Sequence, residues 1–412
     1  MNTGATAATS LPDDEPAGRR RVIISALGLT QILAWGSSYY LLAVLAKPIA
    51  TSTGWAYGAV IGGFSVGLLV SGLISIRVGQ LIDRFGGRPV LTASSIALAA
   101  GLALLAASTN LAIYLLAWVI VGIGMGAGLY DAGFSTLGRL YGAKARSAIT
   151  TLTLWGGFAS TVCWPLSALL VDTVGWRGAC LVYAGIHLAI SLPLHIFMVP
   201  SEARRDPPPP PPRRVARPDA QTKNRTHLVI LLAVLLTSGG IISATWSVHL
   251  IAILEAGGVG LAAAVALGAL VGPAQVGARV VEMLGGNRYH PIWTITAATV
   301  LIAAGLILLW SGFPLPAAAL IAYGAGNGIW SIARGTLPLA LFGAEGYARL
   351  MGRLAMPSLI AQALSPFAAA ILMQRAGAHA TLTALVALGL LNVAGVAVLW
   401  ALSARVREAT RV

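Results

Sequence analysis

The chain has 412 residues, of which 57% are hydrophobic and only 10% charged, with a formal net charge of +14. A soluble fold of this length needs a far more charged surface, so a water-soluble enzyme or binding module is excluded and lipid must be the solvent for most of the exterior. The cationic excess would suit nucleic acid only if it formed one basic face, and its distribution along the chain is different.

Arg19-Arg20-Arg21 precede an apolar run longer than the h-region of a signal peptide, with no small-residue cleavage site after it, so this segment is expected to be retained as a spanning helix. A helix crosses the hydrocarbon core with about 20 apolar residues. Such runs fall at 22–48, 57–78, 89–108, 111–139, 147–171, 178–199, 227–254, 259–281, 291–312, 315–341, 355–374 and 380–403. Glycines inside them, as between Gly122 and Gly128, allow close helix packing and do not end a span. Pro165 in span five and Pro357 and Pro366 in span eleven predict kinks. Cys163 and Cys180 both lie in apolar segments and read as small buried residues; no disulfide framework, metal site or cofactor is expected.

The segment Ser201 to Thr226 differs. It carries an unbroken run from Pro207 to Pro212 and Arg204, Arg205, Arg213, Arg214, Arg217, Lys223 and Arg225, the composition of a polyproline-like solvated linker. The expected division is a tail at 1–21, a six-helix bundle at 22–199, the linker at 200–226, a second six-helix bundle at 227–403 and a tail at 404–412. An even number of spans puts both termini on one side. Of the 27 Lys and Arg residues, only Lys47, Arg177 and Arg375 fall on the other side. The positive-inside rule then predicts cytoplasmic termini, as for a multi-pass protein of the cell inner membrane. The basic excess is thus a topology signal, and the expected partners are the bilayer and a small molecule, not nucleic acid.

The two halves repeat at a shift near 200 residues. Gly124, Gly126, Gly128 and Tyr130 match Gly324, Gly326, Gly328 and Trp330; Pro165 matches Pro366; Asp83 with Gly86-Gly87 matches Glu282 with Gly285-Gly286. Parallel repeats of six helices place a substrate site between them near the midplane.

The loop between spans two and three reads Gly79-Gln80-Leu81-Ile82-Asp83-Arg84-Phe85-Gly86-Gly87-Arg88. In it, and in Gly175-Trp176-Arg177, the chain resembles the major facilitator superfamily over essentially its whole length. The resemblance implies an all-α membrane protein of twelve helices in two pseudo-symmetric bundles, acting as a monomeric secondary transporter by alternating access. It also implies that Gly79, Asp83, Arg84, Gly86 and Arg88 form a conformational-switch loop that clamps the cytoplasmic ends of neighbouring helices, with Glu282 in a weaker second copy. Trp118 stands where proton-coupled drug antiporters of that family carry an arginine, and Pro165 follows Trp164 without their glycine pattern, so the likeness does not extend to that branch.

In this fold spans one, four, seven and ten line the cavity. Span ten offers Tyr323, Asn327, Trp330 and Arg334 on one helical face; span one offers Gln31, Trp35, Ser38 and Tyr39; span seven, Trp246 and His249; span four, Tyr130 and Asp131. A charge deep in a span is costly and is usually functional or paired. Arg334 reads either as a guanidinium fork for a substrate oxyanion or as a partner of Asp131. Asp131 reads as a proton site or a gate salt bridge, and His249 as a relay, a substrate ligand or a packing histidine. His187 and His195 lie on span six, which is expected to face lipid and neighbouring helices. An aromatic pocket with one arginine suits a small organic anion or aromatic metabolite, with protons as a candidate coupling ion. Two other assignments keep the fold: export of a drug or metalloid, and a transport-inactive sensor acting through the linker. No nucleotide-binding loop and no set of catalytic side chains in a shared span points to an enzyme.

Overall fold

The computed structural model describes residues 17–204, 220–285 and 288–409. The proline run at 207–212, Arg205, Arg213, Arg214 and Arg217, and Gly286 lie outside these residues. The described chain is helical with short turns and holds no strand.

The helices are α1 (Ala17–Ser37), α2 (Leu41–Thr53), α3 (Tyr57–Phe85), α4 (Gly87–Ala106), α5 (Leu111–Gly128), α6 (Tyr130–Tyr141), α7 (Ala145–Gly157), α8 (Ala159–Ile186) and α9 (Leu192–Phe197), followed by α10 (Ala220–Ala256), α11 (Leu261–Gly268), α12 (Val271–Gly285), α13 (Pro291–Trp310), α14 (Pro316–Phe342) and α15 (Tyr347–Ala409). Eight helical segments of the described residues are long and apolar enough to cross a membrane. Two of them fold back on themselves. In α8 the backbone leaves helical geometry at Gly175 (φ 71°, ψ 172°). Ser167 and Tyr183, equidistant from that glycine, share a hydrogen bond of 2.7 Å, so the chain reverses there. In α15 the same happens at Gly377 (φ 83°, ψ 171°). Ser358 and Asn392, on either side, both bond to one stretch of α10, at Leu236 and Ser238. A positive φ at these turns is accessible to glycine without the Cβ clash of other residues. Divided at these turns, the helices follow the expected spans in order. The first, fourth, fifth and eighth spans are each interrupted, as α1/α2, α5/α6, α7/α8 and α11/α12.

The repeat is visible in the packing, but in a different register. A Cβ on Gly122 would meet the Gly67 backbone of α3, and one on Gly324 would meet the Val271 backbone of α12. Likewise Gly124 abuts Leu98 of α4 where Gly326 abuts Ile302 of α13. The structural shift is therefore Gly122 to Gly324, two residues longer than the sequence pairing of Gly124 with Gly324. Glycines recurring at every second position make the sequence match equally good in either register, and only the packing partners separate them. Gly175 and Gly377 obey the same shift.

Each half has an apolar core, one around Leu68, Trp118 and Tyr183, the other around Leu236, Trp246 and Tyr323. Toward the face that carries both chain ends, here the terminal face, the core runs continuously between halves: Phe134, Ile149 and Leu152 pack in one cluster with Leu339, Tyr347 and Met351. There α3 lies along α15 and α7 along α12. Ser75 Oγ donates to the Gly352 carbonyl across that boundary at 2.9 Å.

Small residues without a side chain make these approaches possible. Gly326→Leu is expected to lower the apparent melting temperature of the purified protein by about 5 °C or more through overpacking. Gly277→Ala, where a Cβ meets nothing within 4 Å, is expected to leave it unchanged in the same thermal ramp.

Candidate functional site

The interruptions of spans one and four build one wall of the central site. At the α1/α2 turn the Tyr40 amide reaches back to the Trp35 carbonyl at 2.9 Å, a widened turn that sets Trp35, Tyr39 and Tyr40 side by side. At the α5/α6 break Leu129 adopts an extended conformation (φ −79°, ψ −168°). Gln31 Nε2 donates to the Gly128 carbonyl there at 2.6 Å, while its Oε1 accepts from Trp35 Nε1 at 3.1 Å. A backbone break inside a membrane needs such a donor, because lipid supplies none. Trp35 then lies 4.9 Å from the Tyr130 ring, which stacks on Phe134 at 5.1 Å.

The facing wall comes from α14 and α12. Of the span-ten stripe, Arg334 crosses to the other half and pairs with Asp131. Tyr323 stacks on Trp246 at 4.2 Å, and Trp330 packs over Gly239 of α10, both within their own half. Asn327 is half-buried on the same helix. The stripe thus faces protein and the central boundary. Around the Asp131–Arg334 pair lies a cavity of about 30 Å³ lined by Trp35, Tyr39, Tyr130 and Gln362. That is room for about two water molecules, so the halves must part to admit an organic solute. Asp131 Oδ1 is buried and has no hydrogen-bond partner among the described residues.

The structure adds a second buried arginine, absent from the stripes on spans one, four, seven and ten. Arg279 of α12 is only 5% exposed. Its Nε donates to the Gly328 carbonyl at 3.2 Å and its NH1 to the Thr153 carbonyl of the other half at 3.1 Å. The Tyr130 hydroxyl donates to that same Thr153 carbonyl at 3.2 Å. The approach is possible because α7 ends at Gly157, where a Cβ would strike the guanidinium. No carboxylate among the described residues forms an ion pair with Arg279. The signal was present in the sequence, as an arginine inside span 259–281, and the rule applied to Arg334 would have found it.

On the terminal face the glycine-rich loop of the first half meets the second half. Asp83 Oδ2 meets Arg349 Nε at 2.6 Å, in the first turn of α15, where a helix N-terminus also favours an anion. Gly79 packs against the Ala348 carbonyl, where any Cβ would collide. Gly86 has φ +86°, and Arg84 lies over Phe85. Arg88 is half-buried at the start of α4. Arg139 binds the Ile82 carbonyl at 2.8 Å and Glu202 at 2.7 Å, tying the chain after α9 to this loop. In the second half Glu282 accepts from Thr294 at 2.7 Å and stands 3.9 Å from Arg146 of the first half.

Other candidates are placed elsewhere. His249 Nε2 is 2.9 Å from the Pro366 carbonyl and joins α10 to α15 away from the cavity. His187 and His195 face inward, not to lipid: His187 bonds Ser37 at 2.7 Å, and His195 bonds Ser95 at 2.8 Å and Thr30 at 3.0 Å. These partners sit on spans one and three, and a π-helical turn at His187–Ser191 aligns the two imidazoles with them.

Two similar helical halves meeting around a water-sized cavity that holds an ion pair have the architecture of a membrane transporter for small solutes. A sequence model of the Major Facilitator Superfamily matches residues 27–333, and the chain belongs to that superfamily. It is 37% identical over 111 residues to monocarboxylate transporter 3 of Rattus norvegicus, covering 26% of this chain and 22% of that protein. It is 28% identical over 305 residues to monocarboxylate transporter 11 of Homo sapiens, covering 69% of this chain and 63% of that one. The matches thus span less than two thirds of these relatives' lengths. In fold it is similar to the human organic anion transporter MFSD10 (TM-score 0.71, 17% identity, 93% of this chain and 100% of that one). It is also similar to the proton:xylose symporter XylE (TM-score 0.70, 11% identity, 92% and 95%).

Removing one member of a largely buried ion pair strands the other charge, at a cost of about 3–5 kcal/mol. Arg334→Ala is therefore expected to destabilise the protein more than Arg334→Ala combined with Asp131→Ala, as read by thermal unfolding of the purified variants.

Proposed function

We propose that this chain carries a small organic monocarboxylate across the membrane by alternating access, with Arg279 as the group that receives the carboxylate. The supporting observation is the electrostatic asymmetry of the site. Arg334 has its carboxylate in Asp131, while Arg279, more deeply buried, has two neutral carbonyls. A buried guanidinium without a counter-charge is stabilised by any anion that can reach it, and its planar fork matches a carboxylate. One uncompensated cation suits a monoanion. Trp35, Tyr39, Tyr40 and Tyr130 supply apolar faces for the rest of a compact solute. The names of the relatives, monocarboxylate and organic anion transporters, agree with this class.

Asp131 is the candidate proton site. Protonation would cancel its charge and release Arg334, loosening a contact between halves at the level of the substrate. The terminal-face contacts, Asp83 with Arg349 and Arg146 with Glu282, then part as the halves rock. In this reading the termini are cytoplasmic, the membrane is the cell inner membrane and the transporting unit is the monomer.

Transport into proteoliposomes with an imposed pH gradient tests both roles. Arg279→Gln is expected to reduce uptake of short-chain and aromatic monocarboxylates at least about 30-fold, the loss typical of unpairing a buried charge. Neutral amide analogues are not expected to be carried by the parent protein. Undiminished carboxylate uptake by Arg279→Gln would refute the assignment. Asp131→Asn is expected to keep exchange of labelled carboxylate across equal pH and to lose accumulation driven by the gradient; gradient-driven accumulation by that variant removes the proton role alone.

A further inference from the structure

We propose that a groove between α10 and the two limbs of α15 binds one phospholipid of the leaflet opposite the terminal face, with an acyl chain in the groove and the phosphate on Arg375. The groove has a volume of about 340 Å³ and is walled by Thr245 of α10, Ala361, Ala368 and Leu372 before the Gly377 turn, and Thr381 and Leu388 after it. Its hydroxyls are turned away: Ser365 Oγ donates to the Gln362 carbonyl and Thr381 Oγ1 to the Gly377 carbonyl. What remains is an apolar channel with no directional group for a polar solute.

Two observations fix the occupant. The first is length. From Ala361 to Leu372 the helix rises ~16 Å at about 1.5 Å per residue. One leaflet of hydrocarbon is roughly 15 Å deep. The groove begins one turn below the Gly377 reversal, at the level where headgroups begin, and ends near the midplane. It is as long as the acyl chains that surround it. The second observation is charge. Ala361, Ala368 and Leu372 lie on one helical face, and Arg375 continues that face one turn further toward the membrane surface. Arg375 is exposed and has no ion-pair partner among the described residues. By contrast Arg177, at the corresponding turn of the first half, donates to the Ser108 carbonyl at 2.9 Å and lies over Trp176. A cation at the mouth of an apolar groove one leaflet long matches a phosphate with its chain below it. A free apolar molecule would use the groove and ignore the arginine. All walls belong to one half, so the lipid travels with that half as the transporter rocks.

Native mass spectrometry of the full chain in detergent, titrated with phosphatidylglycerol and separately with diacylglycerol of the same chains, tests the site. The parent is expected to retain one phosphatidylglycerol. Arg375→Gln is expected to weaken that retention about fivefold, the contribution of one basic side chain at an anionic headgroup, and to leave diacylglycerol retention unchanged. Ala368→Trp and, independently, Ala384→Phe, at a wall residue after the Gly377 turn, fill the groove and are expected to abolish retention of both lipids while melting within a few degrees of the parent. If either groove variant folds and still retains phosphatidylglycerol at the parental level, the groove is not the site. If retention is equal for the two lipids and insensitive to Arg375→Gln, the groove accepts any apolar chain and the phospholipid assignment falls.

Discussion

Lipid offers a peptide group nothing to bond, so every interruption of a helix inside the bilayer has to be closed by the protein itself. That requirement organises this molecule. The break at Leu129 is closed by Gln31, the end of α7 by Tyr130 and Arg279 on the Thr153 carbonyl, and the widened turn in span six lies between two histidines bonded to spans one and three. Leu129 at one break and Tyr130 beside it also line the cavity, so scaffold and site share that stretch of chain.

A second consequence concerns charge. Asp131 with Arg334, Asp83 with Arg349, and Arg146 with Glu282 each join one half to the other, so the contacts holding this conformer are contacts that a rocking motion must break. Arg279 is bound to carbonyls from both halves and, among the described residues, to no acid. An anion arriving at that guanidinium would compete with the Thr153 carbonyl for its donors, which links occupancy to the bond between halves in the same atoms. Membership of the major facilitator superfamily gives the frame; the proposed role of Arg279 would give it chemistry.

The helical, membrane-spanning class and the superfamily could be read from the chain because they rest on local signals: run length, proline and glycine punctuation, and a motif of fixed spacing. The repeat register could not, because glycines two residues apart fit either alignment until their packing partners are known. Gln31 was read as a substrate ligand from its place on a polar face, yet both ends of its carboxamide are engaged inside the first half. His187 and His195 lie on a span expected to face lipid and neighbouring helices, and it is the neighbouring helices that they bond.

By itself the sequence determined that the protein lives in lipid and which residues are too polar to face hydrocarbon, since solvation is a property of each residue and its near neighbours. Only the tertiary structure decided which of those polar residues satisfy one another and which is left with charge to offer. Pairing depends on distances between helices that are two hundred residues apart in the chain. That is why Arg334 and Arg279, alike as arginines within apolar spans, ended with different partners.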